Sequence, residues 1–158
     1  MGFKISRSQA LTEVITQFPE TEFTVNEFEE YKRICMDFGD IPAPLIHVQL
    51  NHPAHIETIG KDKLMEGPPE ARAEWLHHTH IWQEGCCWED ADGLKVQWAS
   101  TSDSYVVYSY FIDSDKEHHF YLIDFCRDKA HTIIKDKGQV ADWTRQAKEF
   151  RCQNSEPT

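Results

Sequence analysis

Positive charge is scarce in this chain. Its 158 residues include 16 Lys and Arg against 27 Asp and Glu, which gives a formal net charge of −11. Because contacts to phosphate require Lys and Arg, this composition argues against an ordinary nucleic-acid-binding protein, and we expect no direct contact with DNA. One segment departs from the average, since residues 127–151 hold seven Lys and Arg and four Asp and Glu. If the protein binds RNA, this basic segment is the expected contact.

Cysteine spacing and the absence of long apolar runs exclude other classes of protein. The five Cys are an odd number, and their spacing matches neither a disulfide framework nor a CxxC pair. The sequence contains no secretory apolar region and no apolar run long enough to span a bilayer. We therefore expect a cytoplasmic protein with reduced thiols and no contact with a membrane.

The length predicts a single domain over residues 1–152, followed by a disordered polar tail over residues 153–158. Alternating apolar residues predict a short strand at residues 3–5. The helical spacing of apolar residues that follows predicts a first helix that ends at Pro19, because proline cannot continue a helix.

The rest of the pattern indicates helices packed on a sheet. A second helix is expected from a capping box that starts at Thr24, and it should end at Gly39. Prolines interrupt residues 40–74, where we expect a surface excursion with a brief strand at 45–50 and a turn that enters a short helix at 60–65. Later strands are predicted at 75–83, 94–98, 105–112 and 120–126, with a final helix that buries positions 140–150. The predicted fold class is α+β: an antiparallel sheet of about four to five strands with two N-terminal helices and one or two C-terminal helices packed on it.

Two histidines of the predicted strand 75–83 are candidate site residues. His78 and His80 lie on one face of that strand, about 7 Å apart. Imidazole groups serve in proton transfer near neutral pH, and this spacing could bracket a phosphate. The alternative is that both rings pack against neighbouring aromatic residues.

A second group of candidates follows the last predicted strand. His131 and Lys135 are i and i+4 neighbours on a helix, and Arg127 at the end of the strand could reach the same pocket. We predict that these three bind phosphate, although an exposed helix start with unrelated charges is the alternative. Asp103 could orient a His or an Arg, or it could belong to a hydrogen-bonded turn.

A metal site is not expected. His77 and His78 are neighbours in a strand and therefore point to opposite faces, so they cannot easily share one ion. The spacing of the histidines and of the pair Cys86 and Cys87 matches none of the usual zinc patterns. We predict no metal and no cofactor.

Several stretches of the chain follow one another in the order of a known family. They are FEEYKR at residues 28–33, IGKDKL at 59–64, HTH at 78–80, QWASTSD at 97–103 and the residues from His131 to Arg151. Together they resemble the YafO family of bacterial type II toxins, which are ribosome-dependent mRNA interferases of the RelE-like class. This chain has Ser100 where the family pattern has an Arg before the Thr.

The resemblance implies a RelE-like fold and an endoribonuclease that cleaves mRNA on the ribosome without a metal. It also implies a cognate antitoxin that binds the toxin directly. Phe3, Phe23 and Trp143 are possible contacts where they are exposed, and burial in the core is the alternative for each. The expected catalytic residues are His80, His131, Arg127 and Asp103, and the expected RNA-binding residues are Lys135, His78, Tyr108 and Arg151. For Tyr108, burial in the core is the alternative.

Two other functions remain open from the sequence. The acidic surface would also suit a non-catalytic binding protein, such as a degenerate toxin or an immunity-type protein that neutralises a basic partner. A zinc-dependent hydrolase is a third possibility, and it would require a stoichiometric metal.

Overall fold

The computed structural model describes residues 2–155, which form one mixed sheet with helices on both faces. The elements in chain order are β1 (Phe3–Arg7), α1 (Gln9–Gln17), α2 (Thr21–Phe38), α3 (Ile46–Asn51), β2 (Ile59–Leu64), α4 (Pro69–Ala73), β3 (His77–Ile81), a 3-10 turn (Gln97–Ala99), β4 (Tyr105–Ile112), β5 (His118–Cys126), α5 (Ala130–Ile133) and α6 (Lys137–Asn154).

The sheet confirms the predicted fold class and strand number, with one difference in strand direction. Within residues 2–155 it has five strands in the order β1-β5-β4-β3-β2. The pairs β5-β4, β4-β3 and β3-β2 are antiparallel, whereas β1 pairs parallel with β5. The chain passes from β1 directly into α1 and α2, so β1 and β5 are not joined by a hairpin that would make them antiparallel.

Local sequence explains where the first helices begin and end. Ser8 caps α1, since its hydroxyl oxygen accepts a hydrogen bond from the amide of Leu11 at 2.9 Å. Gly39 ends α2 in the left-handed conformation (φ 74°), as predicted. The capping box expected at Thr24 is wrong, because α2 already begins at Thr21 and Thr24 lies inside the helix.

Three predictions between residues 40 and 100 are wrong. Residues 46–51 form helix α3 rather than a strand, and residues 59–64 form strand β2 rather than a turn and a helix. The strand expected at 94–98 does not form: the backbone at Val96 is extended and leads into the 3-10 turn, and Leu94 is exposed. Helix α6 continues to Asn154, into the segment expected to be a tail, and residues 156–158 lie outside the described part.

The sheet separates two hydrophobic cores. The core under α1 and α2 contains Leu11, Val25, Phe28, Tyr31, Cys35, Ile59, Ile81, Val106, Tyr108, Tyr110, Phe120, Leu122 and Phe125. The core on the opposite face, under α4, α5 and α6, contains Met65, Ala71, Leu76, Tyr105, Val107, Ile123, Cys126, Ala130, Val140, Trp143 and Ala147. On that second face α6 packs on β4 and β5 and leaves room beside them over β2 and β3.

None of the helices within residues 2–155 is both long enough and apolar enough to cross a bilayer.

Candidate active site

A cleft of about 830 Å³ opens over β2, β3 and the start of β4, on the face of the sheet that carries α5 and α6. Six of the nine ionisable side chains that line it are lysines or histidines, namely Lys61, Lys63, His78, His80, His131 and Lys135. The other three are Glu66, Asp103 and Tyr105. A cleft that gathers lysines and histidines in a chain of net charge −11 is suited to an anionic ligand.

Strand register determines which side chains of β2, β3 and β4 face this cleft. His78 is paired with Lys63 on β2, and His80 is paired with Tyr105 on β4. Side chains of directly paired residues point to the same face of a sheet, so these four residues share the cleft side. Asp62 points to the opposite side, into the core under α2, as alternation along a strand requires.

His80 is held by the loop that precedes β4. The amide of Ser102 donates to Nδ1 at 2.8 Å, and the carbonyl oxygen of Ser102 lies 3.0 Å from the same nitrogen. The amide always carries its proton, so Nδ1 accepts and the neutral ring carries its own proton on Nε2. Burial lowers the pKa of His80 to about 4, and the charges of Lys61 and His131 act in the same direction.

His78 lies beside it in a still drier environment. Its Nδ1 atom is buried and has no hydrogen-bond partner among residues 2–155. Burial lowers the pKa of His78 to about 3, with the neighbouring His80 as the next cause. The two rings, 5.7 Å apart between centroids, are therefore uncharged near neutral pH and do not bracket a phosphate as a pair of cations.

His131 stands exposed at the rim, and Asp103 fixes its position. The Oδ1 atom of Asp103 accepts from the His131 amide at 2.7 Å, and the Asp103 carbonyl accepts from the Ala130 amide at 3.0 Å. The Asp103 amide in turn donates to Oε1 of Gln83 at 2.7 Å. Asp103 thus ties the start of α5 to the loop before β4, which is a positioning role.

Lys135 lines the same cleft as His131, although the predicted helical pairing of the two is not formed. Helix α5 ends at Ile133, and the chain turns before α6 begins at Lys137. The structure therefore brings His78, His80, Asp103, His131 and Lys135 together.

Two lysines on β2 complete the cleft, and sequence reasoning missed both. Burial lowers the pKa of Lys61, the charge of Lys63 lowers it further, and the Lys61 ammonium lies 4.2 Å from the centre of the Trp98 ring. Lys63 pairs with Glu66. The signal was the alternation Lys61-Asp62-Lys63, which is typical of a strand with one buried face.

Three expected site residues lie elsewhere. Arg127 does not share the pocket of His131: its guanidinium stacks 3.8 Å above the Phe18 ring and pairs with Glu20 at 3.0 Å. Tyr108 is fully buried in the core under α2. Arg151 forms a two-pronged ion pair with Glu74, with N–O distances of 2.7 and 3.0 Å.

Ser100 is turned away from the cleft. It is 2% exposed, and its hydroxyl donates to the carbonyl oxygen of Val96 at 2.9 Å. The cations of the cleft come from Lys61, Lys63 and Lys135.

Several residues that carry the family resemblance meet in a buried polar network behind β2. Lys32 donates to Asp62 and to the Tyr108 hydroxyl, each at 2.7 Å. Tyr31 donates to Asp62 at 2.8 Å and accepts from the Gln97 side-chain amide at 2.8 Å. Because this network lies on the far side of the sheet from the cleft, these residues support the site rather than line it.

One group of potential metal ligands occurs within residues 2–155, and it is not in the cleft. Ligand atoms of Asp113, Glu117 and His119 lie within 4.8 Å of one another in the hairpin between β4 and β5, at the end of β4 opposite Tyr105. Hydrogen bonds of the hairpin account for this cluster, since Asp113 accepts from the ring of His119 at 2.7 Å and from the amide of Glu117 at 3.0 Å.

Comparison with known proteins gives one family. Residues 39–152 match the model of the family described as Toxin YafO, type II toxin-antitoxin system. No curated protein and no solved structure matches the chain.

Proposed function

Because the chain belongs to the YafO toxin family of type II toxin–antitoxin systems, we propose that it is a cytoplasmic, ribosome-dependent endoribonuclease that cleaves mRNA without a metal ion. The observation that carries this proposal is the gathering of Lys61, Lys135, His80 and His131 in one cleft of an otherwise acidic protein. RNA cleavage requires cations and hydrogen-bond donors around the phosphorus, where negative charge builds in the transition state.

In the proposed reaction the ribose 2′-oxygen attacks the neighbouring phosphorus, and the bond from phosphorus to the 5′-oxygen breaks. The exposed imidazole of His131 accepts the proton of the 2′-hydroxyl. The ammonium of Lys61, whose pKa burial lowers, gives its proton to the leaving 5′-oxygen. Lys135 stabilises the negative charge that builds on the non-bridging oxygens, and the neutral His80 contributes to binding the RNA rather than to the transfer of protons.

Asp103 acts in this proposal through His131 rather than on RNA. Its side chain accepts from the His131 amide at 2.7 Å and so fixes the backbone that carries the imidazole. Arg127, Tyr108 and Arg151 have no role in the reaction, because each is engaged outside the cleft.

Membership of the family implies an antitoxin partner, and the ribosome and mRNA are partners by the proposal. Of the aromatic residues considered as antitoxin contacts, Phe23 is exposed on α2 and is available. Phe3 is half-buried and packs near the Phe120 ring, whereas Trp143 is 1% exposed and donates to Asp124 at 3.0 Å. Trp143 therefore belongs to the core.

Growth of a bacterial host and mapping of mRNA ends in a reconstituted translation reaction test the function together. The wild-type chain should arrest growth and cut mRNA only when ribosomes are present. His131→Ala and Lys61→Ala should relieve the arrest, and His47→Ala, which removes an exposed imidazole outside the cleft, should not. A soluble wild-type chain that neither arrests growth nor cuts mRNA would favour the non-catalytic acidic binding protein.

A further inference from the structure

Three aromatic rings form the floor of the cleft. The ring centroid of Tyr105 lies 4.8 Å from that of His78 and 4.4 Å from that of His80. Lys61 and Lys135 line the same cleft beside this floor, and they carry its ammonium groups. The cleft therefore offers two environments, one cationic and one made of aromatic rings.

In both imidazoles Nδ1 is closed to a ligand. Nδ1 of His80 accepts from the Ser102 amide, and Nδ1 of His78 is sealed without a partner among the described residues. In each ring Nε2 is the nitrogen that remains for a ligand. A buried N–H group without an acceptor is rarer in proteins than a buried acceptor without a donor, so the proton of a neutral His78 belongs on Nε2 as well.

The floor favours an uncharged ligand group. His78 is 9% exposed and His80 is 6% exposed, and this burial lowers the pKa of His78 to about 3 and that of His80 to about 4. A phosphate in direct contact with the two rings would lose hydration and would meet neutral imidazoles rather than cations. The lysines beside the floor suit the phosphate, and two neutral N–H donors suit a carbonyl oxygen.

We propose that His78 and His80 form a nucleobase subsite that binds the exocyclic carbonyl oxygen of uracil, guanine or cytosine through their two Nε2–H groups. Adenine carries no exocyclic carbonyl, so the subsite discriminates against it. This inference rests on the proposed function, because it assigns the base of an RNA substrate to the floor of the same cleft.

Nuclear magnetic resonance of the whole chain labelled with ¹⁵N-histidine tests the subsite directly. The protein is titrated separately with uridine, adenosine and inorganic phosphate at millimolar concentrations. Uridine should shift the Nε2 resonances of His78 and His80, with about tenfold weaker binding of adenosine, which lacks the acceptor. Inorganic phosphate should leave the His78 resonance in place. Equal shifts with uridine and adenosine, a His78 shift with phosphate as large as that with uridine, or no shift with any nucleoside would overturn the proposal.

Two variants and one control sharpen the result. His78→Phe keeps an aromatic ring and removes the donor, so uridine should no longer bind, while His78→Gln retains an N–H donor and should restore part of the binding. His47→Phe makes the same change at an exposed imidazole outside the cleft and should bind uridine as the wild type does. If His78→Phe does not fold, the comparison of His78→Gln with His78→Leu replaces it.

Nucleoside binding and mRNA cleavage are separate tests, and either one can fail while the other succeeds. A wild-type chain that binds uridine at the floor but cuts no mRNA retains the subsite and refutes the enzymatic function. A chain that cuts mRNA but whose histidine resonances respond to no nucleoside retains the function and refutes the subsite.

Discussion

Lys32 and Asp62 form an ion pair that is sealed from solvent: Nζ lies 2.7 Å from Oδ2, and both side chains are 0% exposed. Burial by itself acts to raise the pKa of Asp62, but the charges of Lys32 and His77 and the hydrogen bonds from Lys32 and Tyr108 outweigh it, and this pKa lies below its ordinary value. The pair joins α2 to β2, the strand whose other face presents Lys61 and Lys63 to the cleft. The position of the cationic groups therefore depends on this buried contact.

Removal of one partner of this pair should destabilise the protein strongly. Lys32→Met leaves the carboxylate of Asp62 buried without its cation, and such a change lowers the free energy of unfolding by about 3–5 kcal/mol. Urea denaturation followed by circular dichroism measures the change. The matched control is Arg33→Met on the same helix, which breaks only an exposed pair with Glu30 and should cost less than about 1 kcal/mol. A loss below 1 kcal/mol for Lys32→Met would show that the pair does not support the fold.

Gly60 should tolerate no side chain, because the backbone of Ser100 approaches it closely. A Cβ atom at residue 60 would lie 2.2 Å from the carbonyl oxygen of Ser100, and backbone cannot move aside as a flexible side chain can. Gly60→Ala should therefore lower the free energy of unfolding by about 3 kcal/mol. Gly67→Ala is the control, since a Cβ there meets nothing within 4 Å. Equal melting temperatures for the two variants would contradict the close approach.

Stability should fall as the pH is lowered from 7.5 to 4.5, and His78 should account for part of the fall. Its pKa is about 3 in the folded protein and about 6.5 in the unfolded chain. Between these values the unfolded state binds more protons, so the contribution of His78 is complete above pH 6.5 and decreases as the pH falls. At pH 4.5 the loss amounts to about 2–3 kcal/mol of the free energy of unfolding.

The variant His78→Phe isolates that contribution, because Nδ1 of His78 makes no hydrogen bond within residues 2–155 that the change would remove. The difference in unfolding free energy between variant and wild type should shift by about 2–3 kcal/mol in favour of the variant between pH 7.5 and 4.5. Burial raises the pKa of Asp124, which gives a dependence of the opposite sign, but this is common to both proteins and cancels in the difference. A difference that does not change with pH would place His78 in a hydrated environment.

The alternation of side chains along strands predicts much of the fold. The main error in the site, the placement of Arg127 beside His131, arose because that alternation was not followed past the end of β5. Strand β4 spans Tyr105–Ile112 as predicted, because its nearly continuous apolar run is typical of a strand that is buried on both faces. Phe125 on β5 belongs to the core under α1 and α2, and Cys126 belongs to the core under α6. Arg127 lies two residues after Phe125 and so follows it to the α1 side, whereas His131 reaches the other face through α5.

The errors between residues 45 and 65 have a different cause, because contacts distant in sequence determine this region. The side chain of Gln49 accepts from the amide of Asp62 at 3.0 Å and donates to its carbonyl oxygen at 2.9 Å, so an amide side chain on helix α3 occupies the edge of β2. No local pattern shows that residue 49 hydrogen-bonds to residue 62. Lys61 and Lys63 were missed because residues 60–65 were expected to form a turn and a helix, and the two lysines become neighbours of His78 and His80 only once β2 is placed on the sheet.

The contact between Asp103 and His131 gives a prediction that separates positioning from chemistry. Asp103→Ala removes the acceptor of the His131 amide and should cost about 1 kcal/mol of stability, as loss of a helix cap does. If His131 is the base, the same change should lower the rate of mRNA cleavage about 10- to 100-fold with little effect on KM, because RNA binding by Lys61 and Lys135 is retained. Asp103→Asn keeps a carbonyl oxygen that can accept from the amide and should restore most of the rate.

Two measurements, one of them independent of activity, check this prediction. Hydrogen exchange at the His131 amide should be faster in Asp103→Ala than in the wild type and intermediate or unchanged in Asp103→Asn, because the protecting hydrogen bond is lost only in the first. The cleavage rates in a reconstituted translation reaction should follow the same order. A slow Asp103→Asn enzyme with a well-protected His131 amide would mean that the charge of Asp103, rather than its hydrogen bond to the backbone, is what the reaction requires, and Asp103 would then belong among the groups that contact the substrate.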